Sequence, residues 1–161
     1  MTAVLLLAHG TPDSLDEMPE YLTRVRGGRP PGPELVEEMR RNYAAIGGRS
    51  PLTDVTRAQA EALARELGDG RRVYFAMRNW RPFIADVLAA ASAEGCTELV
   101  ALPLAPQYST LSVGKYRHAV ELFSPQKVPR HSEPDGVYEV GPAGPTSVSY
   151  THLTLPTNRE V

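Results

Sequence analysis

The chain has 161 residues, a length that suits one compact domain or part of one, and 42% of these residues are hydrophobic, as in ordinary globular proteins. With 17 basic residues against 19 acidic ones, no basic excess points to a nucleic-acid partner or an anionic membrane surface. The single cysteine, Cys96, excludes an internal disulfide and a cysteine-rich metal site, and we expect a cytoplasmic protein.

Short apolar runs alternate with helical stripes over residues 1–123. The runs at residues 3–8, 73–77 and 99–104 are typical of strands buried on both faces, and all are too short to span a bilayer. Apolar residues at helical spacing predict helices over residues 18–25, 35–46, 53–67, 83–91 and 113–123. Strands that alternate with helices predict an α/β fold of three layers, a mostly parallel sheet with helices on both faces.

Three features of the sequence predict where these helices begin. Ser14 and Glu17 have the spacing of a capping box before the first helix. Pro82 is expected at the start of the fourth helix, where its fixed φ suits the first turn. Ser109 or Ser112 is expected to cap the fifth helix.

Ligands of such sheets bind outside the carboxyl ends of the strands, where residues 9–12, 78–81 and 106–110 fall. These segments are rich in polar and aromatic side chains, so we expect a site there. The glycine-rich phosphate motifs, the G-x-S-x-G nucleophile motif and the H-E-x-x-H zinc motif do not occur in the sequence. Nucleotide-binding proteins, serine hydrolases and zinc hydrolases are therefore disfavoured.

Several side chains near this edge have both a structural and a functional interpretation. His9 ends a strand and either bonds to nearby backbone or points into a cleft as a base, donor or metal ligand. Trp80 and Tyr108 either pack in the core or face a flat aromatic ligand. His118, His131 and His152 are assigned no role.

Several arginines and hydroxyl groups between residues 26 and 116 suit carboxylate recognition. Arginine offers a planar fork of donors, and hydroxyl groups add oriented ones. The candidates are Arg26, Arg29, Arg40, Arg41, Tyr43, Ser50 and Tyr116.

The C-terminal part of the chain has a different character. Residues 124–146 are rich in proline and are expected to be a loop, or a stretch read out of frame, with a short strand at residues 137–140. Back-translated, residues 148–157 resemble the end of a transposase adapter used in sequencing libraries, and the chain ends where a stop codon of that adapter falls. We therefore expect residues 147–161 to be a sequencing-adapter scar and exclude them from the fold prediction.

Five segments in order and spacing resemble ferrochelatases: residues 5–12, 25–29, 43–52, 77–83 and 104–116. The most specific are Gly-Gly-Arg-Ser-Pro-Leu at residues 47–52 and Pro-Gln-Tyr-Ser-Thr at residues 106–110. The resemblance covers residues 3–123 and implies a chelatase-like fold, the first of two similar α/β halves in a truncated chain. It is strongest to the bacterial branch that uses coproporphyrin III.

The resemblance implies insertion of ferrous iron into coproporphyrin III or protoporphyrin IX, a step of haem biosynthesis, in a cleft between the halves. Porphyrin and ferrous iron are then substrates, no cofactor is needed, and the parent enzyme is expected to be a monomer. His9 falls where a tyrosine often coordinates the product iron, and Asn42 falls where an arginine is common. The positions that match propionate-binding residues are Arg26, Tyr43, Ser50 and Tyr116.

The resemblance also implies that the catalytic histidine and glutamate lie in the second half, which this chain lacks. We therefore expect an N-terminal fragment that inserts no iron by itself. Two other functions stay open: a chelatase for another tetrapyrrole and metal, such as cobalt, and a non-catalytic porphyrin-binding module. Insertion of cobalt in preference to iron would indicate the first of these functions. Porphyrin binding without any metal insertion would indicate the second.

Overall fold

The sheet is mostly parallel, as the sequence predicts. The computed structural model describes residues 2–68, 70–105 and 109–122 with their side chains, and the backbone of residues 137–143 and 146–151. Five strands have the order β2-β1-β3-β5-β4, and β4 alone among them pairs in antiparallel fashion, with β5. The strands are β1 (Thr2–Ala8), β2 (Val73–Met77), β3 (Glu98–Pro103), β4 (Val137–Ala143) and β5 (Thr146–Thr151).

The five predicted helices all form in the described residues. They are α1 (Met18–Val25), α2 (Pro33–Ala45), α3 (Leu52–Leu67), α4 (Ile84–Ala93) and α5 (Val113–Leu122). A 3-10 turn precedes α1, and the Ser14–Glu17 capping box is present at its start. None of the described helices has the length and apolarity that crossing a membrane requires.

Pro82 does not begin α4, which corrects the expectation from the sequence. The helix begins at Ile84, after Phe83 in an extended conformation. The carbonyl of Pro82 accepts a hydrogen bond from the Met77 N–H group at 2.7 Å, and Met77 and Phe83 form an isolated bridge. Because the chain returns to the end of β2 before it turns into a helix, this pairing overrides the local preference of proline.

Both faces of the sheet are covered. Leu5 and Leu7 of β1 are fully buried in a cluster with Leu88 of α4 and Val120 of α5. Since alternate residues of a strand point to opposite faces, the equally buried Leu6 lies on the other side. The helix α3 packs against β2 and β1, and the three-layer prediction is confirmed.

A second, smaller core lies beyond the strand ends. It joins Met18 and Leu22 of α1 to Val36 of α2 around the side chain of Trp80, which is fully buried. This cluster attaches the first two helices to the loop after β2. It thereby fixes the position of residues at the carboxyl edge of the sheet.

The C-terminal strands differ from the sequence expectation. The predicted strand at residues 137–140 forms as the longer Val137–Ala143. The strand β5 pairs in parallel with β3, from Glu98 opposite Ser147 to Ala101 opposite Tyr150. It is not expected from the sequence, because residues 147–161 are excluded from that prediction. Their origin as an adapter scar stays a prediction, and Phe123 and residues 124–136 and 152–161 lie outside the described residues.

Candidate functional site

Two of the three predicted site segments lie side by side. The Arg78 N–H group donates to the carbonyl of Ala8 at 2.9 Å, and the Asn79 N–H group donates to the carbonyl of His9 at 3.0 Å. The β1–β2 pairing therefore continues for two residues beyond the strands. Residues 106–108 of the third segment, Tyr108 included, lie outside the described residues.

A close approach of backbone fixes the loop after β1. Gly10 has a φ of +88°, and a Cβ atom there would lie 2.8 Å from the backbone nitrogen of Trp80. The indole N–H group of Trp80 donates to Asp13 Oδ2 at 3.1 Å. Because Trp80 is completely buried, its interpretation as a packing residue is confirmed, and stacking on a flat ligand is excluded.

His9 is an exposed residue at this edge, and its ring is partly covered by neighbouring side chains. The Tyr21 ring lies edge-on to it at 6.4 Å between centroids, and Asn79 Nδ2 lies 3.3 Å from each ring nitrogen. Burial lowers the pKa of His9 from its ordinary value, and the positive charges of Arg78 and Lys115 lower it further. The site therefore favours a neutral imidazole, the form that can bind a metal ion.

A basic cleft opens beside His9. Its volume is about 460 Å³. It is lined by Arg24, Val25, Arg26, Gly27, Arg29, Arg78, Asn79, Lys115 and His118. His9 is not part of this lining, but its neighbours Arg78 and Asn79 are. Cationic side chains around a concave surface attract anions, so an anionic ligand suits this basic cleft.

Tyr116 connects to the basic cleft through Arg78. The guanidinium carbon of Arg78 lies 5.4 Å from the centre of the Tyr116 ring. Burial raises the pKa of Tyr116, and the positive charge of Arg78 opposes this effect. The tyrosine therefore remains a neutral hydroxyl donor, and its ring supports the arginine.

Tyr43 reaches the same edge from α2. Its hydroxyl lies 3.0 Å from the hydroxyl of Thr11, two residues after His9. Burial raises the pKa of Tyr21, and the neighbouring Tyr43 raises it further. The hydroxyl groups of Thr11, Tyr21 and Tyr43 thus lie near the imidazole of His9 at the carboxyl ends of the strands, and Thr11 and Tyr21 are buried there.

The structure does not bring all of the candidates together. Ser50 Oγ accepts a hydrogen bond from the Leu52 N–H group at 3.3 Å, at the start of α3. Asn42 is exposed on α2, one residue before Tyr43. Neither side chain lines the basic cleft, in contrast to Arg26 and Arg29. Their roles toward a propionate stay predictions.

Arg24 of α1 and two residues of α5 line the basic cleft although the sequence alone does not identify them as site residues. His118 is assigned no role from the sequence, and Lys115 is noticed only as part of a motif, yet both line the basic cleft. They lie three residues apart on α5, so they are neighbours on one face of the helix. This spacing, beside the buried stripe of Val113, Tyr116 and Val120, places both on one exposed face of α5 but does not by itself assign them to a cleft.

A resident metal centre is not visible in the described part of the chain. No group of three or more histidine, cysteine, aspartate or glutamate side chains lies close enough there to hold a metal ion. The arrangement instead combines cationic groups, hydroxyl donors and two exposed imidazoles, those of His9 and His118. Chemically, it can bind several carboxylates and offer an imidazole nitrogen as a ligand to a metal ion.

Comparison with known proteins gives one consistent result. The family model described as Ferrochelatase matches residues 1–130. The ferrochelatase of Acidobacterium capsulatum is 52% identical over 126 residues, which is 78% of this chain and 38% of the relative. The ferrochelatase of Herpetosiphon aurantiacus is 44% identical over 124 residues, 74% of this chain and 41% of the relative. The coproporphyrin III ferrochelatase of Bacillus pumilus is 39% identical over 118 residues, which is 70% of this chain and 38% of the relative. The chain thus spans about two fifths of the length of these curated relatives.

Proposed function

The chain belongs to the ferrochelatase family, and on that premise we propose that it supplies the porphyrin-binding half of an enzyme that inserts ferrous iron into coproporphyrin III during haem biosynthesis. Both the porphyrin and the iron are substrates in this proposal. We place the reaction in the cytoplasm.

The observation that carries the proposal is the basic cleft. Arg26, Arg78 and Lys115 face one space of about 460 Å³ at the ligand-binding edge of the sheet. A porphyrin carries its negative charges as propionates at the rim of a flat apolar ring. Arginine forks bind such carboxylates with paired hydrogen bonds, which fixes the in-plane orientation of the ring.

Coproporphyrin III is favoured over protoporphyrin IX by charge. It carries propionates at positions where protoporphyrin IX has apolar vinyl groups. Four cations that line the cleft, Arg26, Arg29, Arg78 and Lys115, match the four propionates of coproporphyrin III in number, whereas a fifth, Arg24, is paired with Glu20. The name of the Bacillus pumilus relative supports the same substrate.

His9 is proposed as the nitrogen ligand of the product iron. Its imidazole is exposed beside the basic cleft, and burial together with Arg78 and Lys115 holds its pKa below the ordinary value. A neutral ring keeps a lone pair for iron. Tyr43, Ser50, Tyr116 and Asn42 are proposed to bond the propionates.

The chemistry requires that the porphyrin bend, so that its pyrrole nitrogens turn toward the metal, and that two N–H protons leave. Bonds to the distant propionates provide binding energy that can be used for this distortion. The groups that accept the protons and deliver iron are expected, from the resemblance, in the part of the relatives that this chain does not span. Iron insertion by the 161-residue chain above the rate without protein would contradict this division.

Fluorescence quenching of coproporphyrin III and protoporphyrin IX by the chain tests substrate binding. We expect tighter binding of coproporphyrin III, and a loss of about tenfold for Arg26→Ala, because a hydrogen bond between charged groups is removed. Arg65→Ala is the matched control, since Arg65 is exposed in the last turn of α3, outside the basic cleft. Equal effects of the two substitutions, or equal affinity for the two porphyrins, would contradict the proposal.

A further inference from the structure

Asn79 is held in direct contact with His9 by the backbone. Ala8 and Met77 are partners in the parallel pairing of β1 and β2. The pairing continues beyond the strands, where the Asn79 N–H group donates to the His9 carbonyl at 3.0 Å. The side chain of Asn79 adds a second bond to the same carbonyl, from Nδ2 at 3.1 Å. Asn79 is only 6% exposed, so its amide has one fixed position.

Two distances fix the position of the Asn79 amide relative to the His9 imidazole. Asn79 Nδ2 is 3.3 Å from His9 Nδ1 and 3.3 Å from His9 Nε2. An atom equally far from both nitrogens at this distance cannot lie in the ring plane, since it would overlap the carbon between them. The amide therefore covers one face of the imidazole. A face contact leaves the in-plane lone pair of the neutral ring directed away from Asn79.

A second contact limits the ring from another direction. The Tyr21 ring stands at 81° to the imidazole, with centroids 6.4 Å apart. Tyr21 is itself buried and packs against Trp80. The imidazole is thus bounded by an amide on its face and by an aromatic ring that the second core holds in place.

We propose that Asn79 is a positioning residue that fixes the plane of the His9 imidazole, so that one ring nitrogen meets the iron of the bound product porphyrin. This inference rests on the proposed function, in which His9 is the iron ligand. Asn79 also lines the basic cleft, so it lies between the imidazole and the space where the propionates bind. Partners that orient a metal-binding histidine by a hydrogen bond commonly contribute roughly 10-fold to 100-fold to metal affinity, and we expect a face contact to act at the lower end of this range.

The test compares two probes on the 161-residue chain: ferric coproporphyrin III, which carries iron, and metal-free coproporphyrin III. The readouts are affinity, the Soret band and the electron paramagnetic resonance spectrum of the iron. We expect Asn79→Ala to weaken binding of the iron porphyrin about 10-fold and to change its spectrum toward that of His9→Ala. Because Asn79 also lines the basic cleft, binding of the metal-free porphyrin is expected to fall by less than binding of the iron porphyrin, and in the His9→Ala background Asn79→Ala is expected to weaken both porphyrins equally.

The outcomes separate this inference from the proposed function. If His9→Ala leaves the iron spectrum unchanged while porphyrin still binds, iron ligation by His9 is wrong. If His9→Ala changes the spectrum and Asn79→Ala does not, the positioning role is wrong. A loss of metal-free porphyrin equal to the loss of iron porphyrin would make Asn79 a wall of the cleft and would also overturn the inference.

A second substitution covers the case in which Asn79→Ala does not fold. Asn79→Asp keeps the size of the side chain but replaces the donor by a carboxylate oxygen, which repels the His9 carbonyl. We expect the same change of the iron spectrum, with a wild-type circular dichroism spectrum. A folded Asn79→Asp variant with the wild-type iron spectrum would refute the inference.

Discussion

The guanidinium carbon of Arg78 lies 5.4 Å from the centre of the Tyr116 ring, and this contact joins the loop after β2 to α5. The same arginine lines the basic cleft and lowers the pKa of His9. One cation therefore takes part in three features of the site: the anion-binding lining, the support by an aromatic ring and the protonation state of the imidazole.

Replacing Arg78 should raise the pKa of His9. The Coulomb repulsion between Arg78 and a protonated imidazole is the second-largest cause of the lowered pKa, after burial. In Arg78→Ala we expect the pKa of His9 to move toward 6.5 and to stay below it, because burial persists. Titration of the His9 ring protons by nuclear magnetic resonance measures the change. Arg65→Ala should leave the pKa of His9 where it is, and an equal shift in both variants would count against this account.

The lowered pKa of His9 also predicts how stability depends on pH. In the unfolded chain His9 titrates near its ordinary value of about 6.5, whereas in the folded chain it binds a proton only at lower pH. The unfolded state therefore binds more protons below pH 6.5, and the free energy of unfolding falls as pH falls through the folded pKa. Well above pH 6.5 both states are neutral at this position, and His9 contributes no pH dependence there.

Urea unfolding between pH 7.5 and pH 5, about the range in which histidine titrates, measures this effect. His9→Gln removes the titrating group, so the variant should lose less stability on acidification than the wild type. Subtracting the two curves cancels the contribution of carboxylates that both proteins share. Parallel curves would show that the pKa of His9 is the same in the folded and unfolded chains.

Much of the fold follows from the sequence because its signals are local. The continuous apolar run that becomes β1 and the Val73–Met77 run that becomes β2 need no tertiary information. The start of α4 could not be predicted in this way, because the bond from Met77 to the Pro82 carbonyl joins residues across a loop. The burial of Trp80 likewise depends on two helices packing around it.

The sequence predicts where the candidate site lies better than it predicts which residues line it. The strand ends locate His9 and residues 78–81, since parallel strands bring their carboxyl ends to one edge. Membership of the basic cleft depends on how α1 and α5 pack beside that edge, and no local pattern assigns His118 to it. Resemblance to the family names Arg26 and Tyr116, but the contact of Asn79 with His9 becomes visible only in three dimensions.

Gly10 should tolerate no side chain. A Cβ atom there would lie 2.8 Å from the Trp80 nitrogen, in addition to the strain of a φ of +88°. We expect Gly10→Ala to lower the free energy of unfolding by about 2–4 kcal/mol, because overpacking adds to backbone strain. Chemical denaturation provides the measurement.

Gly28→Ala is the control for Gly10→Ala. Gly28 has a similar φ of +90°, but nothing lies within 4 Å of its added Cβ. Only the backbone strain remains, and we expect a loss of about 1–2 kcal/mol. Equal losses for the two variants would show that the approach of Gly10 to Trp80 does not constrain the loop that carries His9.

Removing the Tyr43 hydroxyl should be more costly than removing both members of its bond with Thr11. Thr11 is 3% exposed, and its hydroxyl lies 3.0 Å from that of Tyr43. Tyr43→Phe leaves this buried hydroxyl without its partner, which costs about 1–3 kcal/mol, whereas Thr11→Val replaces it by a methyl group of the same shape. We therefore expect Thr11→Val to recover part of the stability lost in Tyr43→Phe.

Thermal unfolding of the two single variants and the double variant gives the coupling energy. Simple addition of the single losses would mean that the two hydroxyl groups do not interact.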